Sequence, residues 1–256
     1  MNNGYFHRVT QQTPSRFWIN NPTRHEADLA LAEGATGCTL NPSYTQKMLD
    51  HPEEGPYAHQ VLDEVIRDVK DDVEAVAEFQ RRMAAPICEK FMGIFEASSH
   101  QEGYVSIQGD PIREEDPNVI ITEAHHNLKV SPNVCIKIPT TKSGLTAMRT
   151  LVPEGTVINA TEIFAVQQGL DLGELYESLV PKGEKGPKLY YSHIAGIYDD
   201  ALKAYADKHQ VDISPDLIAQ AGLAVSRKLY TMVKEAGYRM SFIGGGARGL
   251  HHFTEL

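Results

Sequence analysis

Short apolar stretches alternate with longer amphipathic ones along almost the whole chain, and this alternation restricts the folds open to it. Strands are predicted at Phe17–Asn20, Gly37–Pro42, Tyr104–Asp110, Val134–Pro139, Thr156–Thr161, Leu189–Ile194 and Arg239–Gly244, each bounded by Gly, Pro or polar residues. Helical patterns lie between them. Thr23 and Glu26 have capping-box spacing ahead of ADLALAEG, with Gly34 as the stop. Val61, Val65, Val69, Val73 and Val76 recur at helical spacing, predicting one helix from Val61 to Ala85. Asp116-Pro117 and Ser214-Pro215 each read as an N-cap followed by Pro in the first turn. The helix after Ser214 is predicted to reach Gly237, and a short one to span Gly144–Val152.

Such alternation calls for right-handed crossovers and a parallel sheet. Seven strand–helix units without a separating linker predict an α/β fold of the (β/α)8 TIM-barrel type. The expectation is a single barrel domain over residues 1–256 that lacks its C-terminal strand, because no eighth strand is evident. An open doubly wound sheet is the structural alternative. No GxGxxG turn follows the first strand, and the glycine cluster Gly244–Gly249 comes only after the last.

Composition narrows the partners. The chain has 34 acids and 24 bases, a net charge of −10, which argues against a nucleic-acid or anionic-membrane surface. Cys38, Cys88 and Cys135 form neither a metal-ligand pair nor a disulfide framework, as expected in a reducing compartment. The opening MNNGYFHRVTQQTPS has no apolar signal region, and no run has the roughly 18 apolar residues of a membrane span. A soluble cytoplasmic protein is expected, without nucleic-acid or membrane partners. Assembly into a homo-oligomer is compatible with the sequence.

The chemistry centres on Val134-Cys135-Ile136-Lys137-Ile138-Pro139. Alternation puts Val134, Ile136 and Ile138 on one face and Cys135 and Lys137 on the other. The aliphatic face suits the outer helices, so Lys137 is predicted to point into the barrel near the strand's C-terminal end, where such barrels carry their active sites. An ammonium group removed from water loses its proton more readily, and the neutral amine attacks carbonyls to form a Schiff base. The plain alternative is a lysine that blunts a strand edge. Polar residues at the other strand ends favour the first reading: Asn20, Asn41, Ser106, Gln108 and Asp110, Asn159 and Thr161, and Ser192 and His193.

VCIKIPTTKSGLTAMRTLVPEGTVINATEIFAVQQG resembles the transaldolase family, including the smaller fructose-6-phosphate aldolases. GATGCTLNPS, VSIQGDP and AGYRMSFIGGGARG resemble its second-, third- and seventh-strand motifs, so the likeness runs from about Asn20 to Leu256. It implies class I aldolase chemistry on sugar phosphates, without metal or organic cofactor. Lys137 is the implied Schiff-base residue. Asn41 and Asn159 are implied to bind hydroxyls of the three-carbon unit. Gln108 and Thr161 are implied to position water, Ser192 matches the sixth-strand serine, and Arg248 is implied to hold the phosphate. The family's first strand ends in an acid that moves a proton, whereas this chain has Asn20 followed by Asn21. A second phosphate-binding arginine is replaced by Ile197.

The expected activity is transaldolase-type transfer of a dihydroxyacetone unit in the pentose phosphate pathway. The alternatives are a lyase like fructose-6-phosphate aldolase and a catalytically impaired paralogue that only binds sugar phosphates. Gln108 leans towards the aldolase, and the long helical insert from Tyr44 to Gly103 leans towards the larger transaldolases. Asn20 and Ile197 motivate the binder. The pairs His125-His126 and His251-His252 are read as solvated, because neighbours on a helix point about 100° apart and do not chelate one ion. His193 is read as structural, Cys135 as buried packing, and the acids from Asp63 to Glu78 as a solvated helix face.

Overall fold

Strands and helices follow one another in a computed structural model that describes residues 4–255. The chain divides into two compact units, Met1–Glu114 with Asn118–Ile136, and Glu115–Pro117 with Lys137–Leu256. In the first, α1 (Tyr5–Gln12) precedes β1 (Phe17–Asn20), α2 (Arg24–Glu33), β2 (Ala35–Leu40), α3 (Tyr44–Leu49), α4 (Gly55–Asp68), α5 (Asp72–Ala97), β3 (Tyr104–Gln108) and α6 (Pro117–Asn127). Then β4 (Val134–Pro139) begins in the first unit and ends in the second. The second continues with α7 (Lys142–Leu151), β5 (Ile158–Ile163), α8 (Val166–Leu179), β6 (Leu189–Ile194), α9 (Gly196–His209), α10 (Pro215–Glu235), β7 (Ser241–Gly245) and α11 (His251–Thr254).

Pairing is parallel between neighbours in sequence: β1 with β2, β2 with β3, β5 with β6 and β6 with β7. The fold class is the (β/α)8 barrel type, with seven strands and no eighth among the described residues.

In the first unit, the predicted capping box of α2 is complete. The Glu26 amide donates to Thr23 Oγ1 at 3.0 Å, and the Thr23 amide to Glu26 Oε2 at 2.8 Å. The single helix predicted from Val61 to Ala85 is instead two. Val69 turns extended after α4, and the Asp71 carboxylate accepts the Glu74 amide at 2.9 Å, starting α5 afresh. The valine stripe does not survive the break, and Val73 and Val76 are exposed. The buried ridge of α5 is Phe79, Met83, Ile87, Phe91 and Phe95, at four-residue steps. The acidic run is not wholly solvated either: Glu74 and Glu78 pair with the buried Arg81, which also lies 3.6 Å from the buried Glu123.

Buried Asn133 ties this unit together ahead of β4. Its Nδ2 donates to the carbonyls of Cys88 and Gly103, both at 2.9 Å, and its Oδ1 accepts from the Ser131 hydroxyl at 2.7 Å. One fully bonded amide thereby joins α5, the entry to β3 and the entry to β4. Cys38, Cys88 and Cys135 are all buried thiols.

The second unit departs from expectation at its strand ends. β5 begins at Ile158 and β7 at Ser241, later than predicted, while β2 of the first unit begins earlier, at Ala35. Arg239 stays outside β7 because its backbone N–H and its guanidinium both donate to the Glu177 carboxylate. Between Ala160 and Ile163 the β5–β6 register shifts, with Glu162 at φ 60°. This bulge lies beside Thr161. The Ser214 cap and Pro215 start α10 as predicted.

After β4, the Thr141 hydroxyl accepts the Gly144 amide at 3.1 Å and starts α7. A Cβ on Gly144 would lie 1.9 Å from the Pro139 carbonyl oxygen, so the helix can return this close to the strand end only with glycine there. Gly144→Ala is expected to lower stability by roughly 1–3 kcal/mol through overpacking. Urea unfolding would show this as a reduced midpoint with unchanged slope.

Candidate active site

The predicted site residues fall on both units. In the first, Asn20 ends β1 and Asn41 follows β2. Asn20 Oδ1 accepts from the Thr39 hydroxyl at 2.8 Å and from Asn41 Nδ2 at 3.0 Å. The Asn41 amide N–H donates to Asn21 Oδ1 at 2.8 Å. Asn21 has φ 48°, a left-handed conformation that asparagine tolerates. The structure thus brings Asn20 and Asn41 together and adds Thr39, which shares the face of Asn41 two residues on. The Asn20 oxygen acts as an acceptor, as a carboxylate would, but an amide holds no proton to transfer.

Gln108 is buried at the end of β3. Its Nε2 donates to Glu114 Oε2 at 3.4 Å, and its backbone carbonyl accepts from Gln80 Nε2 at 2.9 Å. Neither partner was legible in the sequence, because no periodicity relates α5 or the Glu114 loop to this strand.

Lys137, where β4 passes into the second unit, is the one residue of that strand that is not buried. Val134, Cys135, Ile136, Ile138 and Pro139 all are. Burial pushes the Cys135 thiol well up, with a hydrogen bond to Ser106 offsetting part of the effect, so this residue packs rather than reacts.

The ends of β4 and β5 are joined by the Thr140 amide donating to the Thr161 carbonyl at 2.8 Å. Gln168 of α8 clamps the same ends. Its Oε1 accepts the Phe164 and Ala165 amides at 2.9 Å, and its Nε2 donates to Thr140 at 3.2 Å and to Glu162 at 3.4 Å. Asn159 and Ser192 are buried and paired, the serine hydroxyl donating to Asn159 Oδ1 at 2.6 Å. Thr161 is buried beside the bulge.

Arg248 is tied to α9 and to its own turn. Its Nε and Nη2 donate to Asp200 Oδ2 at 2.9 and 2.7 Å, and its Nη1 to the Gly246 carbonyl at 2.7 Å. The guanidinium holds the Asp200 carboxyl below its ordinary range. Ile197 is partly exposed in the first turn of α9 and adds no charge.

The reading of His251 and His252 as solvated is corrected. His252 is buried, and both rings turn towards Asp199 of α9, at 3.3 and 3.7 Å from its Oδ2. The third group comes from another helix, which spacing within the pair could not reveal. His125 is exposed, as expected.

The sequence profile described as Transaldolase/Fructose-6-phosphate aldolase matches residues 17–256. The chain belongs to this family. It is 28% identical over 258 residues to "Transaldolase 1" of Streptomyces coelicolor, covering 94% of this chain and 67% of that protein. It is 30% identical over 218 residues to a "Transaldolase" of Mycobacterium tuberculosis, covering 81% of this chain. It is 29% identical over 221 residues to one of Mycobacterium leprae, covering 83%. The chain spans 57% of the length of each of these mycobacterial proteins.

His193, on β6 of this family member, faces α10 and serves the scaffold. Ser226 Oγ donates to the Gly222 carbonyl at 2.9 Å, so the His193 Nδ1–H donates to Ser226 Oγ at 2.7 Å. Burial holds the imidazole down to about 4 from its ordinary 6.5, with the Phe164 backbone offsetting part of the shift. The unfolded chain therefore takes up this proton first. The stability that depends on a neutral His193 is complete above about pH 6.5 and is lost as the pH falls towards about 4, by up to about 3 kcal/mol. His193→Asn keeps a donor near Ser226 and removes the titration. Denaturant unfolding across this range is expected to show a shallower acid decline in the variant, and equal declines would contradict it.

Proposed function

We propose that this chain catalyses transaldolase-type transfer of a dihydroxyacetone unit between sugar phosphates through a Schiff base on Lys137, as a step of the pentose phosphate pathway in the cytoplasm. One observation carries the reading: in a family member, the only β4 side chain left unburied is an amine. No helix among the described residues is long and apolar enough to cross a membrane.

The Lys137 amine would add to the ketone carbon, and loss of water from the carbinolamine would give an iminium ion. Cleavage of the carbon–carbon bond one carbon removed from the iminium would send its electron pair into the iminium, leave a three-carbon enamine and release an aldose phosphate. The remaining enamine would add to a second aldose phosphate, and hydrolysis would restore the amine. Asn159, oriented by Ser192, and Asn41, oriented by Asn20 and Asn21, would bind hydroxyls of the three-carbon unit. Gln108 and Thr161 would position the water. Arg248 would take the phosphate by exchanging it for the Asp200 carboxylate.

Bond cleavage must also remove the proton from the hydroxyl that becomes the aldehyde of the released aldose phosphate, and Asn20 cannot accept it. This favours a second reading, a protein that binds sugar phosphates and turns them over poorly. Gln108 supports a third, a lyase that releases dihydroxyacetone.

Borohydride trapping separates these readings. A three-carbon adduct on Lys137 after incubation with fructose 6-phosphate is expected for a working transferase or lyase. An adduct with dihydroxyacetone alone would point to impaired cleavage, and no adduct with either would overturn the Schiff-base assignment. Asn20→Asp keeps an acceptor for Thr39 and Asn41 and supplies a base. It is expected to raise the cleavage rate, by up to about 10²-fold, in a steady-state assay of aldose phosphate release.

A further inference from the structure

Asp199 lies in the first turn of α9, and His251 and His252 open α11. The Nε2 atoms of the two histidines lie 3.3 and 3.7 Å from Asp199 Oδ2. These separations are longer than a good N–H···O hydrogen bond, which is about 2.7–3.2 Å. They are close to the edge of a tetrahedron around an ion with bonds of about 2.0–2.1 Å, which is about 3.3–3.4 Å. His252 Nε2 and Asp199 Oδ1 are buried and have no hydrogen-bond partner. The His252 side chain is only 2% exposed, so water does not readily stand in for one. The two rings lie together, with centroids 4.1 Å apart. Among the described residues, no other histidine, cysteine or carboxylate trio converges in this way.

We propose that Asp199, His251 and His252 bind a divalent transition metal ion of the zinc class, which fastens α11 to α9. Two imidazoles and one carboxylate suit such an ion and leave a fourth position for water on the more open His251 side. One feature opposes binding. The Arg248 backbone N–H donates to His252 Nδ1 at 3.2 Å, which fixes the ring proton on Nε2. Ligation through Nε2 moves that proton to Nδ1, and the Arg248 amide loses its acceptor. Metal binding is therefore coupled to a rearrangement of the turn that carries Arg248, and the affinity is lower than that of a fully preformed centre. The site stands independently of the Schiff-base reading.

The test is zinc titration of the metal-free full chain, read by competition with a chromogenic chelator. One equivalent is expected to bind in the micromolar range or tighter. Asp199→Asn and His251→Gln are expected to weaken it at least tenfold, while His125→Gln on the exposed face of α6 leaves it unchanged. Zinc is also expected to shift the Arg248 amide resonance in the wild-type chain and not in Asp199→Asn. Circular dichroism establishes that each variant is folded, and His251, being the more exposed histidine, carries the test if a change at buried His252 does not fold. Absence of saturable binding, or equal affinity in all three variants, would overturn the site. An unmoved Arg248 amide with zinc bound would overturn the coupling.

Discussion

Most candidate side chains of this fold, Lys137 among them, are aimed by the two-residue pleat of the strand that carries them. On β4 the pleat buries Val134, Ile136 and Ile138 on one side and sets Cys135 and Lys137 on the other. Of those two, only the residue nearer the C-terminal end is left partly open. A shift of one residue in the pairing of β4 would exchange the faces and bury the amine among the aliphatic side chains. The devices that hold the strand's end in place therefore matter as much as the lysine. These are the Thr140–Thr161 bond, the Gln168 clamp and the close approach of α7 at Gly144.

The two units solve the same problem with different chemistry. In the first, polar groups at the strand ends orient one another directly: Asn20, Thr39, Asn41 and Asn21 form a small network of amides and a hydroxyl. In the second, the bonded pair Asn159 and Ser192 is wholly buried, and the bulge at Glu162 re-aims the end of β5 beside Thr161. Bulges and left-handed non-glycine residues gather where a side chain must point away from the regular pleat. Both units place one such residue beside a candidate site residue, Asn21 next to Asn20 and Glu162 next to Thr161.

Much of this was legible in the sequence because it rests on local periodicity. Alternation was sufficient to find β4 and to set Lys137 on the face opposite its aliphatic neighbours, and the caps of α2 and α10 were readable from Thr23 with Glu26 and from the adjacent Ser214 and Pro215. Local periodicity misled at Val69, where apolar spacing continues across a break that Asp71 enforces by capping a new helix. It was silent wherever partners come from distant segments. The Asp200 carboxylate that occupies Arg248 is 48 residues away from it, and Asp199 is 52 residues from His251. The pair at 251 and 252 looked solvated because its geometry was judged against itself, while the deciding neighbour sits on another helix.

Asn20 and Asn133 show how differently one chemical change can act in this protein. Slow hydrolysis, which takes up water and releases ammonia, converts asparagine to aspartate and replaces one nitrogen by one oxygen. At Asn20, exposed at the end of β1, both neighbours donate to the side-chain oxygen, so the new carboxylate keeps both bonds. At buried Asn133 the nitrogen donates to two carbonyls, and the same change would set a carboxylate against both of them. Chemical ageing at the first position leaves the local network intact. At the second it would turn the tie between α5, β3 and β4 into a repulsion, which makes Asn133 the less replaceable of the two.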